Sequence, residues 1–121
     1  MVDSPAEPKS IDHLRTICLG FPEATEQPFG GHTAPSFRVR GKLFLMVGED
    51  REYATCKAPP GVQQMLVASD PERFFVPKYV GSKGWVGIQL GGDPDWAEIA
   101  EIAEDSYRLI APKRVAAQLD K

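Results

Sequence analysis

The sequence predicts an α+β fold: an antiparallel sheet of about five or six strands with an N-terminal helix and C-terminal helices packed on one face. Three observations carry this. Apolar residues recur at helical spacing at both ends of the chain, and the middle breaks into short alternating runs punctuated by Gly and Pro. With 121 residues, 42% hydrophobic and 26% charged, the chain has enough apolar material for one core without disulfide or metal staples.

The first helix starts at Ser10 as its cap, and Ile11, Leu14, Ile17 and Cys18 share one face before Gly20 and Pro22 end it. Strands follow at Thr25 to Phe29, Ser36 to Arg40, Lys42 to Val47 and Tyr53 to Lys57 as an antiparallel meander. Gly41 supplies the tight turn of the second hairpin, which in the simplest register sets Phe37 across from Phe44. Pro59 and Pro60 open a short helix over 61–68 that closes before Asp70-Pro71. Phe74, Phe75 and Val76 begin another strand, 78–84 is a connecting loop, and Val86, Ile88 and Leu90 form the aliphatic side of the last strand.

Asp93-Pro94 reads as the cap and first residue of a long helix whose buried face is Trp96, Ile99, Ala100, Ala103, Tyr107 and Ile110. Glu104 and Arg108 stand at pairing distance on its outer face, and the Tyr107 hydroxyl requires a partner at the rim of the core. Pro112 ends this helix and starts a last short one through Val115 and Leu119. The expected organisation is a disordered tail over 1–9 and a single domain over 10–121.

A formal charge of −3 excludes a uniformly basic nucleic-acid coat, so any polyanion site must be local. Cys18 and Cys56 lie in apolar contexts without metal or redox spacing, which points to buried free thiols and a reducing, cytoplasmic setting. The polar, proline-bearing start lacks the apolar stretch of a signal peptide, and no segment reaches membrane-spanning length.

Two basic tips stand out: Arg38, Arg40 and Lys42 on the second hairpin, and Lys78 and Lys83 on the later loop, with Trp85 or Tyr79 available to stack on a base. The same charges also suit ordinary solvated turns. An alternative is a small-molecule or protein-binding module on the concave sheet face around Phe37, His32 and Trp85. His32 sits in a Gly-Gly loop with His13 as the only other histidine, and no nucleophile, base or metal-ligand spacing accompanies it. Glu98, Glu101, Glu104 and Asp105 read as the solvated face of the long helix rather than as cation ligands. The expectation is a non-enzymatic protein with neither cofactor nor metal.

Taken in order, Pro22-Glu23-Ala24, Pro28-Phe29-Gly30, Phe37-Arg38-Val39-Arg40-Gly41-Lys42-Leu43-Phe44, Phe74 with Pro77-Lys78-Tyr79, Lys83-Gly84-Trp85-Val86 and Glu104-Asp105-Ser106-Tyr107-Arg108-Leu109 resemble the MmcQ/YjbR family of small bacterial proteins. The resemblance runs from about Ile11 to Lys113. It implies a CyaY-like fold and a double-wing mode of contact with double-stranded DNA, with wing positions Arg38, Arg40 and Lys42 in one loop and Lys78, Lys83 and Trp85 in the other. Asp105 stands where the family often has Glu. Iron binding of the frataxin type requires an acidic first helix, and here that helix carries only Asp12.

Overall fold

The helical spacing at the N-terminus becomes α1 (Lys9–Leu19), with Ile11, Leu14 and Cys18 fully buried. The computed structural model describes residues 9–28 and 34–121. The expected tail, apart from Lys9, therefore lies outside the described residues, and the helix begins one residue before the expected Ser10 cap. Next come β1 (Ala24–Pro28), β2 (Pro35–Val39), β3 (Lys42–Val47), β4 (Tyr53–Lys57), α2 (Val62–Ser69), β5 (Phe74–Phe75), β6 (Trp85–Gln89), α3 (Trp96–Ile110) and α4 (Lys113–Ala116). A 3-10 turn over Ala117–Asp120 closes the chain.

The strands form one six-stranded antiparallel sheet in the order β1-β2-β3-β4-β6-β5. The fold is the expected α+β arrangement, with α1 packing on β1, α3 on β3 and β4, and the two helices on each other. Among the described residues, no helix is long and apolar enough to cross a membrane.

The register between β2 and β3 corrects the simple pairing. Phe37 lies opposite Leu45 and Arg38 opposite Leu43, so Phe44 is an extra residue in a bulge. The bulge lets two successive residues of β3 enter the core: Phe44 and Leu45 are both fully buried. Phe44 meets Tyr107 edge-on at 5.5 Å, and Phe21 lies 4.9 Å from the same tyrosine. Burying side chains of this size contributes about 1.5–3 kcal/mol each.

On α3 the cap is Asp95 rather than Asp93. Its side chain accepts from the amide of Glu98, three residues on, at 3.1 Å. The buried face is Ile99, Ile102, Ala103, Ser106 and Tyr107. Ser106 donates to the Phe44 carbonyl at 2.6 Å, serving the strand at its bulge. The Tyr107 hydroxyl donates to the Pro22 carbonyl at 2.7 Å, the rim partner its burial requires. Arg108 pairs with Glu104, as its spacing predicts, and also with Asp120.

Both cysteines are free and buried. Burial pushes the Cys56 thiol up to about 12 and raises Cys18 further.

Candidate nucleic-acid interface

Strand direction decides where the two basic tips go. β2 ends at Val39 beside Lys42, the start of β3, and the antiparallel ladder then places the end of β4 at the same edge. Lys57 at the end of β4 pairs with Trp85 at the start of β6. The connection from β5 to β6 therefore emerges at the edge that carries the β2–β3 turn. The two turn midpoints are three strand spacings apart, roughly 14 Å across the sheet.

The first tip is a two-residue turn with both central residues left-handed, Arg40 at φ 52° and Gly41 at φ 80°. This is the hairpin geometry that matches strand twist, and glycine supplies it without steric cost. Arg40 and Lys42 are exposed, whereas Arg38 is half-buried and donates to the Gly41 carbonyl at 3.1 Å. Arg40 is bound in an ion pair with Glu23, Nη2 to Oε2 at 3.1 Å. The hydrogen bonds from Arg40 hold the Glu23 carboxyl below its usual range.

The second tip is built more tightly than a loop. Val80 donates to the Lys78 carbonyl at 2.7 Å across Tyr79, whose φ is 69°. A 3-10 turn over Gly81–Lys83 follows, and Gly84 at φ 88° redirects the chain into β6. From α2, the buried Gln63 amide donates to the carbonyls of Gly81 at 2.7 Å and Trp85 at 2.6 Å. Lys78, Lys83 and Tyr79 project from this frame, with Tyr79 91% exposed.

Lys42, Lys78 and Lys83 make no ion pair among the described residues. Acidic residues gather at the other end of the sheet: Glu49, Asp50 and Glu52 between β3 and β4, Asp70 and Glu72 before β5, and Asp93 and Asp95 after β6. A negative total charge and a locally basic edge thus coexist in one molecule.

The sequence-predicted residues divide accordingly. Arg38, Arg40, Lys42, Lys78 and Lys83 share one edge, and Lys57, half-buried at the end of β4, joins them. Alternating strand direction in a meander was the feature that could have placed Lys57 there. Trp85 is 9% exposed and Phe37 is buried completely, so neither presents a free ring, and the exposed aromatic among the described residues is Tyr79. His32 lies outside the described residues. No group of three or more His, Cys, Asp or Glu able to hold a metal ion occurs among the described residues.

The fold resembles that of Deinococcus radiodurans protein DR2400, a crystal structure assigned to the DUF419 domain family, with a TM-score of 0.77 and 18% identity over 95% of this chain and 92% of that one. No curated protein matches the chain. A family model described as YjbR matches residues 19–109, a span that holds the whole sheet, both basic tips and nearly all of α3. The chain belongs to the YjbR family.

Proposed function

We propose that the basic edge contacts double-stranded DNA through the phosphate backbone, with the β2–β3 turn and the β5–β6 connection as two wings. The observation that supports this most is the common edge: the turn that carries Lys42 and the connection that carries Lys78 and Lys83 have midpoints roughly 14 Å apart across the sheet, close to the width of a major groove of about 12 Å. Exposed lysines without protein partners lose little on meeting phosphates and release condensed counterions when they do. The acidic far end repels the duplex and orients the approach.

Neither tip offers a helix or a strand to the base edges, so contacts to phosphate dominate and binding is indifferent to sequence. Tyr79, held out beside Lys78, adds stacking where a base is unpaired. The protein acts in this reading as a non-enzymatic cytoplasmic binding protein.

The test is fluorescence anisotropy with a labelled duplex over a range of salt concentrations. Wild-type affinity is expected to fall steeply with salt, and Lys42→Glu with Lys83→Glu to abolish binding without loss of the fold. Lys42 replaces Arg40 as the informative position because Glu23 already occupies Arg40. Absence of wild-type binding at low salt overturns the reading.

A further inference from the structure

The sheet face turned away from α1 and α3 is only partly covered. The register aligns Met46, Thr55, Gly87 and Phe75 in one row across β3, β4, β6 and β5. Gly87 has no side chain, and the Phe75 ring occupies the space where one would stand; the Tyr53 ring does the same over Gly48. The two rings meet edge-on at 5.4 Å and 76°. With the segment 76–80 as its far wall, this face holds a groove of about 730 Å3, a size typical of small-molecule sites.

Two polar features make the groove more than an apolar patch. Thr55, which lines it, is 3% exposed, and its hydroxyl has no hydrogen-bond partner among the described residues. A buried hydroxyl left unpaired is unfavourable, and a bound molecule with a polar atom at that point supplies what the fold does not. Lys78 is the lining residue with a positive charge and makes no ion pair among the described residues, whereas Glu49 at the opposite end has interactions of its own.

We propose that this groove binds a flat aromatic molecule bearing one carboxylate. The ring lies against Phe75, Tyr53 and Met46, an edge or ring heteroatom meets the Thr55 hydroxyl, and the carboxylate reaches Lys78. Rings set edge to face favour an aromatic guest over a flexible chain. This site is separate from the polyanion reading except for Lys78.

The experiment is an amide-resolved NMR titration of the full chain with indole-3-acetate, indole-3-acetamide and octanoate. Saturable shifts at Thr55, Gly87 and Val76 are expected with indole-3-acetate, and about fivefold weaker binding with the acetamide or in Lys78→Gln. Thr55→Val should weaken indole-3-acetate without any loss of stability, and Lys42→Glu with Lys83→Glu should leave its binding unchanged. The proposal is overturned by absence of saturation, by shifts that map elsewhere, by octanoate binding more tightly than the indole, or by a dimer that buries this face.

Discussion

Glu23 and Arg40 face each other one step beyond the Ala24–Val39 pair that ends the β1–β2 ladder, both with left-handed backbones, φ 61° and 52°. Non-glycine residues in that region are disfavoured by about 1–2 kcal/mol each. The two-pronged ion pair between their side chains ties the β2–β3 turn to the entry of β1. It also removes one positive charge from the edge proposed to meet phosphate.

Glu23→Gln is therefore expected to strengthen polyanion binding and to steepen its dependence on salt by about one phosphate contact, a slope change near 0.9. The sign with pH follows from the lowered Glu23 carboxyl. Its stabilising contribution is present above the unfolded value near 4.5 and is lost as pH falls through the lower folded value. Anisotropy titrations of wild type and variant at neutral pH check the first effect, and acid unfolding of the two proteins checks the second.

Ser106→Ala leaves the Phe44 carbonyl without its donor inside the core. A loss of about 1–3 kcal/mol is expected, read as a lower urea midpoint with an unchanged slope. An unchanged midpoint would mean that the bulge carbonyl finds another donor.

Thr55→Val acts in the opposite direction. It replaces an unpaired buried hydroxyl with a methyl group of similar size, and about 1 kcal/mol of added stability is expected. Thermal unfolding of the ligand-free protein measures it.

The two thiols make the fold sensitive to alkali. Their folded values lie above the ordinary 9.0, mainly through burial. The stability they contribute is complete below about pH 9 and declines as pH rises towards 12, because the unfolded chain ionises first. A thiol reagent at pH 8 should label neither cysteine in the native protein and both in denaturant. Rapid labelling under native conditions would show that the core opens locally.

Lys42–Val47 and Tyr53–Lys57 are strands with the bounds that the alternation predicts, because short β-branched and aromatic runs between turn residues leave few alternatives. The bulge at Phe44 was not legible, since it is selected by the Tyr107 and Ser106 side chains of a helix sixty residues away in sequence. The role of Ser106 follows only from that bulge, which gives its hydroxyl a carbonyl to meet. Asp95 displaced Asp93 as the α3 cap because two candidates stood next to one proline and only the geometry of the turn separates them. The five basic positions were visible as residues, but their common edge depends on strand order. Trp85 and Phe37 looked like available rings, and burial withdrew them, since a large aromatic next to a strand is most stable inside. The groove was invisible because its walls come from β3, β4 and the 76–80 segment together.

Within the second tip, the 3-10 turn hangs from Gln63, whose one amide nitrogen holds the carbonyls of Gly81, where the turn begins, and Trp85, just past its end. The tip's shape is thus written in α2, outside the segment it shapes. The exposed positions 82 and 83, inside that clamp, can be exchanged for other charges or aromatics without refolding what carries them.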